Sequence, residues 1–78
     1  MPVAMPPAMH NPHVAQRLFD LLQESEMAYR LRGVAHTDYL RRRAHQYHGQ
    51  TRRELDRIVA LGPDAGRLVD YFLKEFGA

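Results

Sequence analysis

The stretch "TDYLRRRAHQYHGQTRRELDRIVALGP", Thr37 to Pro63, decides the fold: it is either one long helix or two shorter helices hinged at Gly49. Thr37 opens it as a favoured N-cap residue, with Asp38 in the first turn where a carboxylate suits the helix dipole. Gly62-Pro63 closes it. For a break, Thr51-Arg52-Arg53-Glu54 fits the capping-box pattern, and Gly49 precedes it as a turn residue does. For continuity, the apolar and small residues keep phase. At about 100° per residue, with Arg41 as zero, Leu40, Ala44, Tyr47, Thr51, Leu55 and Ile58 all lie between roughly 240° and 320°. A turn should reset that phase, and Gly49 falls on the opposite, wet face, where it costs only about 1 kcal/mol relative to alanine. Phase carries the expectation of one helix over 37–61, ~37 Å long at 1.5 Å per residue.

Small Ala44, then Gly49, then Leu55 and Ile58 give the stretch a partial resemblance to the helix-turn-helix signature. That resemblance implies two short helices, the second entering a DNA groove. The stretch departs from the signature at His48 and Gln50, where apolar residues should flank the turn.

The flanking segments are helical as well. Asn11 is a good N-cap, and Pro12 at the first helical position loses an N–H that would be unpaired anyway. Val14, Leu18, Leu21, Leu22, Ser25, Ala28 and Tyr29 follow at helical spacing, and Gly33 with Val34 can form a Schellman stop. The spacing predicts a first helix over 12–32. In the last segment Ala65, Leu68, Val69, Phe72, Leu73 and Phe76 form a complete amphipathic stripe, predicting a helix over 64–76. No alternating β-branched run competes. The expected fold is all-α: a small three-helix domain, two long antiparallel helices plus a shorter third, over 12–78. Residues 1–11, rich in Pro and Met, read as a disordered or extended arm because Pro6 and Pro7 forbid a regular helix.

Seventy-eight residues make one small domain, and 45% hydrophobic with 26% charged residues excludes global disorder. There is no cysteine, so disulfides and thiolate metal sites are excluded. No secretory signal and no run of ~18 apolar residues is seen, so a cytoplasmic protein without membrane association is the expectation. The net charge of +2 is unevenly spread: residues 30–57 carry eight arginines against Asp38, Glu54 and Asp56.

On a continuous helix, Arg41, Arg42, Arg43, Arg52, Arg53 and Arg57 fall opposite the apolar stripe. Guanidinium groups are forked, permanent donors suited to phosphate, and Gln46 and Gln50 add amides able to reach sugars or base edges. Nucleic-acid binding through Arg41, Arg42, Arg52, Arg53, Arg57, Gln46 and Gln50 is the leading functional expectation. The same face suits an acidic protein partner, and a charged wet face is also what any amphipathic helix shows. The alternative function is a protein-interaction adaptor, docking helices or an acidic surface without nucleic acid. His10/His13 and His45/His48 have i, i+3 spacing, but no E-x-x-H pattern joins them, and no metal or other cofactor is expected. Ser25, the only serine, sits on the buried stripe, where a bond to a backbone carbonyl is the natural reading. No enzymatic activity is expected, and the whole reads as a small regulatory protein.

A chain this short buries only about 60–65% of its unfolded surface, so oligomerisation is a common source of added stability. A 37 Å second helix would also overhang a third helix of ~21 Å. Phe19, Met27, Tyr39 and Tyr71 lie off the main stripes. They are the expected interface of a homodimer in which a second subunit covers the overhang.

Overall fold

The computed structural model describes residues 11–76. The expected arm therefore lies outside the described residues, apart from Asn11. Four helices follow one another: α1 (Pro12–Arg32), α2 (His36–Ala44), α3 (Gly49–Ala60) and α4 (Ala65–Phe76), with a single 3₁₀ turn, Gly62–Asp64, between the last two. No strand is present among the described residues.

α1 begins and ends as its sequence dictates. The Asn11 side chain accepts from the backbone N–H of His13 at 3.0 Å and of Val14 at 3.4 Å, with Pro12 at the first helical position. At the other end Gly33 takes the left-handed conformation, φ 69°, and its N–H bonds the carbonyl of Tyr29 at 2.9 Å. The Val34 N–H reaches Ala28 at 3.3 Å, completing the Schellman pair.

The long second helix is not formed; the chain breaks, and α2 and α3 are separate. α2 starts at His36, one residue before the expected Thr37, with Ala35 as N-cap and no side-chain cap bond. After Ala44, Gln46 and Tyr47 donate back to the carbonyls of Arg43 and Ala44 at 3.0 and 3.1 Å, a tightened last turn. His48 is extended, φ −131° and ψ 169°, and Gly49 is left-handed, φ 62°. The capping box is not used either: Thr51 lies inside α3, 2% exposed, and no side chain caps that helix. Gly49 is the signal that counts, because few residues other than glycine take positive φ without strain.

The shared phase of these residues has a different cause. Leu40, Ala44, Thr51, Leu55 and Ile58 are all buried, and Tyr47 packs at the edge of the same core. Their burial was predicted correctly. They share a core, however, and not a helix: the four-residue turn swings α3 round so that its apolar face meets the surface α2 already lines. With the long helix gone, the overhang goes too, and the length-mismatch argument for a dimer falls with it.

The core joins Val14, Leu18, Leu21 and Leu22 of α1 to Leu40 and Ala44 of α2, Leu55 and Ile58 of α3, and Ala65, Val69 and Phe72 of α4. Two residues expected at an interface belong to its margin instead: Phe19 lies 6.5 Å from the Phe72 ring, and Tyr39 packs against the core from α2. The Cα radius of gyration is 11.6 Å.

The break gives a test with a sign. Alanine at Gly49 meets no steric neighbour, but must hold positive φ, and should destabilise the domain by about 1–2 kcal/mol. On a continuous helix the same change would stabilise by about 1 kcal/mol. Urea unfolding of Gly49→Ala decides between them.

Candidate nucleic-acid interface

α2, the four residues 45–48 and α3 form a helix–turn–helix unit: two short helices across a four-residue turn, with Gly49 opening the second. The arginines divide between its helices, so the single basic face drawn for one helix does not exist. Three arginines are on α2 and three on α3, and their environments differ.

Two are occupied within the fold. Arg43, half-buried, donates to Glu24 Oε1 of α1 at 2.6 Å, to the Tyr39 hydroxyl at 2.8 Å and, through Nε, to Gln46 Oε1 at 3.0 Å. Its guanidinium also lies 5.7 Å from the Tyr39 ring centroid. Tyr39 donates to the same Glu24 oxygen at 2.9 Å, so three side chains clamp α2 to α1. Arg52 reaches back from α3 to the carbonyl of Ala44 at 3.3 Å, at the end of α2, while its Nε holds Asp56 at 3.1 Å. Arg52 thus braces the turn that the sequence reading treated as open surface.

The others are more available. Arg41 pairs with Asp38 at 3.5 Å and Arg57 with Glu54 at 3.1 Å, both with side chains about two-thirds exposed, 64% and 67%. The Arg41 pair is exposed on both sides and contributes little, whereas Arg57 holds a Glu54 carboxylate that is only 10% exposed. Arg42 and Arg53 are exposed and make no ion pair among the described residues. Arg42 lines a shallow hollow of about 190 Å³ with Arg32, Val34, Tyr39 and Arg43. On α3, Gln50, Arg53 and Arg57 fall within about 60° of one another, on the side away from Leu55. Gln46 is exposed, though its carbonyl oxygen already accepts from Arg43.

The hydrogen bond from Arg43 holds the Glu24 carboxyl below its ordinary 4.5, with the Tyr39 hydrogen bond acting the same way. Burial, and then the Glu24 hydrogen bond, push the Tyr39 phenol up. A depressed carboxyl stabilises the fold above the unfolded value near 4.5 and loses that contribution as pH falls through the lower folded value. Glu24 is 46% exposed, so the clamp contributes no more than about 1 kcal/mol after screening. Glu24→Gln should therefore be less stable than the wild type at neutral pH, and the gap should close toward pH 3; chemical denaturation at both pH values checks it.

A buried polar chain that periodicity does not reveal lies at the α1–α2–α4 junction. Ser25 Oγ lies 2.7 Å from Nδ1 of His36, and His36 Nε2 lies 3.3 Å from Glu26 Oε1. Ser25 is fully buried and His36 is 8% exposed. The partner of Ser25 is thus an imidazole, not the backbone carbonyl the sequence reading gave it. The signal available was the pair of polar residues facing each other across Gly33, legible only once the loop is known to fold back on α1. The Tyr29 ring stacks on the imidazole at 5.1 Å, and Gly66 of α4 packs against its edge.

These three side chains have the composition of a hydrolytic triad and not its accessibility. A nucleophile must meet substrate, and Ser25 has no exposed surface. The adjoining hollow of about 660 Å³, lined in part by Tyr29, Pro63 and Asp70, has His36 and Glu26 among its walls. Nδ1 of His36 is held by Ser25, Nε2 faces Glu26 Oε1 at 3.3 Å, and the second Glu26 oxygen accepts from Arg30 at 3.1 Å. The groups best placed to grip a ligand are already paired, so the network acts as an internal lock.

His45 and His48 lie in the turn rather than on a helix, and no three His, Asp or Glu side chains converge among the described residues. No helix among them is long and apolar enough to cross a membrane. No protein-family model, curated protein or solved structure matches the chain.

Proposed function

We propose that the chain is a small non-catalytic regulator that binds nucleic acid through its helix–turn–helix unit. The observation that supports this most is the division of labour among the arginines. Arg43 and Arg52 fix the unit, leaving Arg42 and Arg53 unpaired among the described residues, Arg41 in a weak exposed pair, and Arg57 exposed while bonded to the buried Glu54. α3 presents Arg53 and Arg57 outward with the partly exposed Gln50 beside them, and α2 contributes Arg41 and Arg42 as phosphate contacts on its flank. Duplex DNA suits this arrangement better than duplex RNA, because the B-form major groove admits a helix and the A-form one does not.

The direct test is fluorescence anisotropy with mixed-sequence duplex DNA and RNA at low and moderate salt. DNA binding tighter than ~100 μM that weakens linearly with log salt supports the reading; no binding to either at low salt ends it.

The second reading is a protein-interaction adaptor, helical or acid-binding. Its specific support is the apolar surface at the end of α1, where Leu31 is 75% and Met27 59% exposed. An adaptor would lose its partner on changes there and be indifferent to Arg42 and Arg53.

A further inference from the structure

The hollow of about 190 Å³ between the end of α1 and α2 is lined by Ala28, Arg32, Val34, Tyr39, Arg42 and Arg43. It is smaller than the roughly 300–1,000 Å³ of sites for drug-sized ligands, so a group of phosphate size suits it. Arg32 and Arg42 are exposed and in no ion pair among the described residues. Arg43 holds the Glu24 carboxylate at 2.6 Å, which offsets its own charge. Asp38, one turn before Arg42, pairs with Arg41 and does not line the hollow. Two positive charges are therefore left over at its mouth. The end of α1 does not oppose an anion there, because the carbonyls of Ala28 and Tyr29 already accept from the N–H groups of Val34 and Gly33.

We propose that Arg32 and Arg42 together grip one phosphate group at this hollow, an extension of the interface onto α1 that rests on the nucleic-acid reading. On that reading the phosphate belongs to the DNA backbone; free phosphate offers the same chemistry. Guanidinium groups suit the task because their forked N–H donors match phosphate oxygens. Two uncompensated guanidiniums exceed the single charge of a carboxylate, whereas phosphate has more oxygens to share between them. Ala28, Val34 and Tyr39 supply apolar walls, beside which such pairs are screened less than in open water. Arg32 is the new member of the interface. It stands ten positions before Arg42, and the chain reversal at Gly33 brings both to one hollow.

The first arm of the test is anisotropy of a labelled mixed-sequence DNA duplex titrated with the full chain at four salt concentrations. Arg32→Ala should lower the slope of log affinity against log salt by about 0.9, and weaken binding about three- to tenfold near 0.1 M salt. The double variant with Arg42→Ala should lose no more slope than either single one, because both hold the same phosphate. Arg32→Gln, which keeps the stem, serves if circular dichroism shows Arg32→Ala misfolded. Arg67→Ala, at an exposed arginine of α4, should leave the slope unchanged. The second arm adds inorganic phosphate, or acetate at equal ionic strength, to the labelled chain. Phosphate should move the amide signals of Arg32, Val34 and Arg42, and acetate should not. Such shifts without DNA binding keep the site, with free phosphate as its ligand, and end the nucleic-acid reading. DNA binding with the Arg32→Ala slope at the wild-type value and no phosphate-specific shifts overturns the site and leaves that reading standing. Additive losses in the double variant, or an equal loss for Arg67→Ala, overturn the shared grip. Neither DNA binding nor phosphate-specific shifts would end both.

Discussion

If the unit binds duplex DNA as proposed, replacing Arg42 and Arg53 together with alanine should lower the slope of log affinity against log salt by about two, at about 0.9 per neutralised phosphate. At about 0.1 M salt the same two contacts correspond to a tenfold or greater loss of affinity. Folding should be nearly unaffected. Both side chains are exposed and unpaired among the described residues, and exposed substitutions of this kind stay within about 0.5 kcal/mol. The contrast with Arg43→Ala and Arg52→Ala is informative. Those variants release Glu24, Tyr39 and the end of α2, so they should weaken the fold and reduce binding only as a consequence. Anisotropy titrations at four salt concentrations, read beside urea unfolding of each variant, separate the two classes.

His36→Ala has the largest expected effect on stability, about 2–4 kcal/mol, by combining a vacated buried ring with orphaned polar partners. A domain of this size holds roughly 4–12 kcal/mol in all, so the loss is a large share. The hydroxyl of Ser25 is left without its 2.7 Å partner, and Tyr29 loses the ring on which it stacks. Some of the cost is recovered if Ser25 turns to the carbonyl one turn back in α1, an option open to a mid-helix serine. Ser25→Ala alone should cost less, about 1–2 kcal/mol, because the histidine keeps Glu26 and its packing. The two changes share one hydrogen bond, so their double variant should cost less than the sum by about 0.5–3 kcal/mol. Urea denaturation followed by circular dichroism gives the full cycle.

How much of this was legible in the sequence differs residue by residue. The ends of α1 were legible because Asn11-Pro12 and Gly33-Val34 act locally, through bonds within a few residues of themselves. The membership of the core was legible because burial follows periodicity. The course of the chain at Gly49 was not, since a sharp turn and a straight helix can bury the same residues. The extended His48 and the positive φ of Gly49 distinguish them, and glycine tolerates both conformations. The arginines show the same limit. Charge placed all six on a wet face, but Arg43 finds Glu24 nineteen positions away and Arg52 finds Ala44 eight away. Those partners depend on where α1 and α2 lie once the turn has formed. Ser25 and His36 are the extreme case, two polar residues read separately as a helix interior and a loop that meet in the core.

The most direct test of the central claim, that α2 and α3 form a nucleic-acid-binding unit, is amide chemical-shift mapping of the labelled chain titrated with a short mixed-sequence DNA duplex. Shifts should concentrate at Gln50, Arg53 and Arg57 of α3 and at Arg41 and Arg42 of α2, and shrink as salt is raised. Shifts confined to Met27 and Leu31 of α1, or none at millimolar duplex and low salt, would contradict it.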